Sequence, residues 1–281
     1  MQKAIEKLVS DALAEDIGQE DLTTNTIVPP AARCVARLFA KQDGVMSGTL
    51  PFRLAFELLD ADIQGWHQTV KDGDRFKKGD MLISFNGRAQ AVLTAERTAL
   101  NFIQRLCGVA TLTAKYVERL EGLNCRICST RKTTPLMRQL EKAAIVHGGG
   151  ANHRHTLFNG VLIKENHIMM AGSVTEAIRR AREGTHHLMR IGVEVQTLDE
   201  FDEAMAAGAE VILLDNMDND TMREAVRRVV GRPVILEASG NATLERVRSM
   251  AETGVHFISV GALTHSAPAI DLSLLIEHAS E

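Results

Sequence analysis

Cations stand where strand-like runs give way to turns. Arg131 and Lys132 lie in STRKTTP, His153 and Arg154 follow the triple glycine of HGGGANHR, and Lys164 closes GVLIK. Arginine grips a planar carboxylate with two parallel hydrogen bonds, and lysine supplies a point charge. Several of each, converging, suit a small molecule with more than one negative group. Surface ion pairs are the plain alternative. For Arg97, in the helical TAERTALN, the neighbouring acid favours that alternative. For Lys164 it is weak, because an unpaired lysine on an apolar strand is costly to bury.

The acidic set is smaller. Glu194 sits between Val193 and Val195, and Asp215 caps VILLD. Two carboxylates beside a polyanion suggest Mg2+ held partly by protein and partly by phosphate. They also suit stabilisation of a cationic sugar, and single acids at strand ends are often helix caps. Ser239-Gly240-Asn241 and Gly261-Ala262 follow the last two strand-like runs. Barrels often bind phosphate there, against backbone N–H groups. The three glycines at 148–150 suggest another close approach to the backbone. The chain has no Walker-type P-loop and no G-x-G-x-x-G after a strand, which removes support for triphosphate and dinucleotide binding.

The elements that must position these residues follow from hydrophobic rhythm. Residues 4–13 put Ile5, Leu8, Val9, Ala12 and Leu13 on one helical face. Two short apolar runs flank Asp43-Gly44 and predict a hairpin over 33–48. Further strands are expected at 63–70 and 81–86, then a long proline-free helix over 89–122, bent near Gly108. Beyond residue 122, strand-like runs fall at 125–130, 160–164, 191–195, 211–215, 233–239 and 257–261. Helical segments are expected at 173–183, 198–207, 219–230 and 243–253. That alternation implies a parallel sheet with crossover helices. Each run ends in or near a polar residue or glycine: Lys132, Lys164, Glu194, Asp215, Ser239, Gly261. In α/β barrels the ligand site lies at the carboxyl ends of the strands. Six candidate strands predict an irregular barrel of fewer than eight.

Composition bounds the rest. The 281 residues are 45% hydrophobic and 24% charged, with net charge −4, an ordinary globular balance without the basic face of a nucleic-acid binder. No apolar run approaches the roughly 20 residues of a membrane span. The first residues carry no apolar signal core, so a cytoplasmic protein is expected. Cys125 and Cys128 form a C-x-x-C, but no second pair exists to complete a zinc site. All four cysteines therefore read as ordinary thiols, and His186-His187 as solvated surface.

These motifs together resemble the quinolinate phosphoribosyltransferase family almost end to end. The resemblance rests on ERTALNFIQ with GVAT, TRKTTP, HGGGANHR, LIKENH, VEV, ILLDNM, EASGN and TGVHFISVGALTHS. It implies an N-terminal α/β sandwich (1–108, with 268–281 returning to it) and an irregular α/β barrel (109–267). It implies transfer of a phosphoribosyl group from 5-phosphoribosyl 1-diphosphate to quinolinate with loss of CO2 in NAD biosynthesis, with Mg2+. It also implies a homodimer with shared active sites that can assemble to hexamers.

By the same resemblance, Thr130, Arg131, His153, Arg154 and Lys164 hold quinolinate, joined by Arg97 from the partner subunit. Lys132, Glu194 and Asp215 act at the ribose, diphosphate and metal. Ser239, Gly240, Asn241, Gly261 and Ala262 cradle the 5-phosphate. On this view the triple glycine turns the backbone tightly beneath the pocket. Three positions depart from the family pattern: Leu136 replaces a glycine, Asn159 an aspartate and Gly192 an acid. His155 receives no role. The nearest competing expectations are a nicotinate-specific transferase, a molybdenum-associated paralogue, and a catalytically silent barrel.

Overall fold

The protein is described by a computed structural model covering residues 2–279. Its contacts divide it into two compact units. The first comprises residues up to Leu112, Thr134–Gly149 and the chain from Ser266 onward. It opens with helices α1 (Gln2–Ile17) and α2 (Leu22–Ile27), followed by β1 (Arg33–Ala40), β2 (Gly44–Val45) and α3 (Thr49–Glu57). Next come β3 (Gln64–Gln68), β4 (Arg75–Phe76), β5 (Met81–Arg88) and the long α4 (Ala89–Arg119). The chain re-enters this unit with α5 (Arg138–His147) and β12 (Leu272–His278).

Its sheet has the order β12-β1-β5-β3, with every pairing antiparallel. Alternate residues of β1, Cys34, Ala36, Leu38 and Ala40, are buried, as a half-buried strand requires. Against this sheet α3 brings Phe52 and Phe56. Phe56 lies 4.7 Å from Phe85, and Trp66 stacks on Phe85 at 5.1 Å.

Two expectations change here. The 33–48 hairpin does not form, because both edges of β1 are taken by β5 and β12, and β2 pairs with β4 instead. Helix α4 runs without a break through Gly108. That glycine answers a packing need: a Cβ there would stand 2.1 Å from the Pro268 carbonyl oxygen. The packing division also departs from the sequence boundaries, since Thr134–Gly149 belongs with the first unit. Glu141, fully buried on α5, anchors that segment. It accepts hydrogen bonds from Arg105, from the Thr134 N–H at 3.0 Å and from the Thr134 hydroxyl at 2.8 Å.

The second unit comprises Thr113–Thr133 and Gly150–His265. Strands β6 (Arg126–Cys128), β7 (Val161–Ile163), β8 (Ile191–Val195), β9 (Val211–Asp215), β10 (Ile235–Ser239) and β11 (Phe257–Ser259) form one parallel sheet. The crossovers carry α6 (Glu165–Ala171), α7 (Val174–Gly184), α8 (Leu198–Ala206), α9 (Asn219–Arg228) and α10 (Val247–Ala251), and α11 (Ala262–His265) follows β11. Several helices start on side-chain caps: Ser173, Thr197 and Asp218 each accept an N–H of the first turn.

The strand order is β6-β11-β10-β9-β8-β7. The last strand returns to pair with the first, as a barrel demands. The ring is closed except between β6 and β7, where the described residues form no ladder. Ala151 makes one parallel bridge to Cys128 at that seam. The result is an irregular six-stranded α/β barrel.

Candidate active site

A cleft of about 780 Å3 opens within the second unit. Strand alternation builds it. Residues two apart point to the same face, and the lining pairs Leu162 with Lys164, Leu213 with Asp215, Glu237 with Ser239, and Ser259 with Gly261. Glu194 lines it from β8, with Gly192 two residues earlier. All six polar or glycine strand ends read from the sequence border this one space. Thr130, Arg131, His153, Arg154, Gly240, Asn241 and Ala262 border it as well. Arg97 does not: it is exposed on α4, in the first unit. His155 is exposed and also lies outside the lining.

The cationic side is arranged for an anion. The Arg131 Nε is buried and has no hydrogen-bond partner. An unmet buried donor costs about 1–3 kcal/mol, so the site favours a ligand that meets it. Arg154 donates from Nη1 to the Gly160 carbonyl at 2.8 Å. Burial, and then the nearby charge of Arg131, lower its pKa. Two guanidinium groups held close enough to disfavour each other's charge are relieved by a shared anion. The His153 Nδ1 accepts the Arg154 backbone N–H at 2.8 Å, so a neutral ring carries its proton on Nε2. That nitrogen lies 3.9 Å from the Glu237 carboxylate.

Lys164 Nζ pairs with Glu194 Oε2 at 2.9 Å, and the Glu194 side chain is 16% exposed. The His167 Nδ1 accepts the Lys164 backbone N–H at 3.0 Å, fixing the start of α6. Lys132 is exposed. Its N–H goes to the Thr130 hydroxyl at 3.1 Å, and its carbonyl accepts from Thr264 at 2.7 Å. Gly261 keeps this corner open, because a Cβ there would stand 3.0 Å from the Lys132 side chain and 3.2 Å from His265.

Sequence reasoning missed Glu237, Asn216, Thr243, Ser129, Ser259 and His265, all in the lining. Glu237 and Ser259 were detectable: each lies two residues before a strand end already chosen. Glu237 is 4% exposed and bonded to the Ser259 hydroxyl. Burial pushes its carboxyl up to about 7, the Ser259 bond opposes this, and the Glu194 charge adds to it.

The departures from the family pattern find local explanations. The Asn159 Oδ1 accepts from the Thr156 N–H at 3.0 Å and from its hydroxyl at 2.6 Å, a role either an amide or a carboxylate oxygen fills. Gly192 lies inside the sheet, where a Cβ would come within 3.3 Å of the Val161 carbonyl. Leu136 is 85% exposed and adopts φ 64°, a backbone state glycine enters more easily.

Parallel strands closing on themselves, with paired arginines, two carboxylates and glycine loops at their carboxyl ends, define an α/β-barrel enzyme. Its cleft is suited to multiply charged, phosphorylated small molecules. The chain belongs to the quinolinate phosphoribosyl transferase family. The model of that family's N-terminal domain matches residues 21–107, and that of its C-terminal domain matches residues 109–275.

A probable nicotinate-nucleotide pyrophosphorylase (carboxylating) of Bacillus subtilis is 42% identical over 278 residues, covering 99% of this chain and 95% of its own. A mitochondrial quinolinate phosphoribosyltransferase (decarboxylating) of Nicotiana glauca is 37% identical over 97% of this chain and 82% of its own. The crystal structure of NadC from Streptococcus pyogenes superposes with a TM-score of 0.95 at 37% identity, covering 100% of this chain and 99% of that one.

Proposed function

We propose that this protein transfers the phosphoribosyl group of 5-phosphoribosyl 1-diphosphate to quinolinate and releases CO2, forming nicotinate mononucleotide and diphosphate in NAD biosynthesis. The observation that carries this reading is the Arg131–Arg154 pair with its unmet Nε, which lines one cleft together with Glu194 and Asp215. Adjacent carboxylates on a planar ring match two close guanidiniums better than a single carboxylate does, which favours quinolinate over nicotinate.

In the reaction the ring nitrogen bonds to C1 of the ribose as the C1–oxygen bond to diphosphate breaks. Positive charge grows on the sugar and negative charge on the leaving group. Glu194 and Asp215 beside the sugar, and Lys132 beside the diphosphate, are matched to that change. The alkylated nitrogen is then cationic. The bond from C2 to its carboxylate breaks, the electron pair stays on C2 next to that nitrogen, and a proton replaces CO2. The protein's part is orientation and fixed charge. Ser239, Gly240, Asn241, Gly261 and Ala262 would hold the 5-phosphate, with Thr130, His153 and Lys164 completing the quinolinate contacts.

The donor chemistry fits Mg2+. Among the described residues no group of three or more His, Cys, Asp or Glu is set to hold a metal. Two carboxylates in a phosphate-binding cleft suit a small hard cation that takes its other oxygens from substrate and water. Glu194 and Asp215 would hold it, where it would offset charge on the diphosphate. Arg97, outside its own chain's cleft, would act in that of a second copy, making a homodimer the working unit, with hexamers built from such dimers. We place its work in the cytoplasm; no helix of the described chain is long and apolar enough to cross a membrane.

The test is turnover of quinolinate with 5-phosphoribosyl 1-diphosphate and Mg2+, read as CO2 and mononucleotide. Absence of turnover, or equal turnover of nicotinate, refutes the reading. For the shared site, mixing Arg97→Ala with Lys164→Ala should restore activity through hybrid dimers. Failure despite proven subunit exchange argues against it.

A further inference from the structure

Just past the end of β9 the chain does something costly. Asn216 enters the left-handed region at φ 56°, one of three non-glycine residues with positive φ among the described residues. Its N–H still reaches the Ser239 carbonyl at 2.9 Å, so the backbone stays tied to β10 while the side chain turns. Asparagine tolerates this conformation better than most residues, but it is not free.

The side chain joins two parts of the cleft. Nδ2 donates to Asp215 Oδ2 at 3.0 Å, and Oδ1 accepts from the Asn241 amide at 3.3 Å. The orientation of the amide is settled by chemistry: an ionised carboxylate only accepts, so the nitrogen must face Asp215. Gly240 lies directly against it. A Cβ at that position would stand 2.1 Å from Asn216 Oδ1, so the loop can close on the amide only with glycine there. Gly240 at φ 87° and Asn241 at φ 49° complete a run of left-handed residues fitted to one side chain. Aspartate at 216 would lose the donor and face Asp215 with like charge, and an aliphatic residue would lose both bonds.

We propose that Asn216 is a positioning residue that locks the Asp215 carboxylate to the 239–241 loop, presenting the ribose end and the phosphate end of the phosphoribosyl donor with one pre-set unit. The identity of that ligand rests on the function proposed above. The lock itself is tested by ribose 5-phosphate, which carries both ends and needs no reaction.

Asn216→Gly keeps the backbone conformation and removes the amide, whereas Asn216→Asp keeps the size and removes the donor. Losing both hydrogen bonds in the glycine variant, or the one to the Asp215 carboxylate in the aspartate variant, should weaken ribose 5-phosphate binding about 10- to 100-fold by calorimetry. Quinolinate affinity, titrated alone, and the melting temperature should stay near wild type. In turnover, KM for the diphosphate donor should rise while KM for quinolinate holds. Unchanged ribose 5-phosphate affinity in both variants overturns the proposal, even if the wild type turns over normally. A parallel fall in both affinities and in melting temperature also overturns it, as that marks a merely structural residue. A wild type that binds ribose 5-phosphate through Asn216 but does not turn over would refute the reaction and leave the lock standing.

Discussion

Glu237→Gln should change how stability depends on pH. The Glu237 carboxyl is buried among β10, Ser259 and His153, and its pKa rises from 4.5 to about 7. The folded protein therefore holds this proton where the unfolded chain has released it. The stability tied to it is fully present below about pH 4.5 and is lost as pH rises through about 7. A rise of about 2.5 units, at about 1.4 kcal/mol each, makes the loss about 3 kcal/mol. Glutamine is neutral at every pH and can still accept the Ser259 hydroxyl. The variant should gain on the wild type by up to about 3 kcal/mol between pH 5 and pH 8. At roughly 2–4 °C per kcal/mol that is about 6–12 °C in melting temperature. The assay is thermal or urea unfolding of both proteins at the two pH values without ligand. Identical pH dependence would refute the reasoning, as would an equal loss in the variant at both pH values.

Arg131→Lys keeps the charge but removes the unmet Nε donor, so KM for quinolinate should rise about 10- to 100-fold with KM for the diphosphate donor little changed, in steady-state kinetics. Gly108→Ala should lower the melting temperature, at a cost of about 1–3 kcal/mol, because the new methyl meets a backbone oxygen at 2.1 Å. All four thiols are buried, and burial pushes Cys107 up to about 12 and Cys125 up to about 11. A disulfide reagent at pH 8 should therefore titrate none of them until the chain is unfolded.

The cleft was more legible in the sequence than the scaffold around it. Parallel strands buried on both faces read as apolar runs, and the polar residue that ends each run marks the ligand face. Lys164, Glu194, Asp215 and Ser239 are therefore legible as cleft residues from the sequence alone. The same alternation, carried two residues back from Ser239 and Gly261, adds Glu237 and Ser259 to the lining.

Elements held by distant partners were harder to read. Helix α5 hides its periodicity because Glu141 and Lys142 are buried alongside Leu140 and Ala144. The charge that makes a buried glutamate sensible comes from Arg105, 36 residues away, with Thr134 completing its hydrogen bonds. The 33–48 hairpin failed for a similar reason: β1 prefers the longer ladders of β5 and β12, and turn chemistry at Asp43-Gly44 cannot announce that competition. Asn216 was invisible because its meaning lies in a left-handed backbone that one-letter code does not display.

The unpaired seam of the barrel gives the proposed acceptor a mechanical task. Arg131 follows β6, His153 and Arg154 follow the single bridge at Ala151, and Lys164 ends β7. The residues assigned to quinolinate thus flank the one gap in the ring, while those assigned to the phosphoribosyl group sit on its laddered arc. There the outer edge of β6 is met by Ala151 alone, which donates to the Ile127 carbonyl at 2.8 Å and accepts the Ser129 N–H at 2.9 Å. On the function proposed above, a rigid dianion held from both sides of that seam would tie it together through side chains where the strands share no ladder, a clasp as well as a reactant.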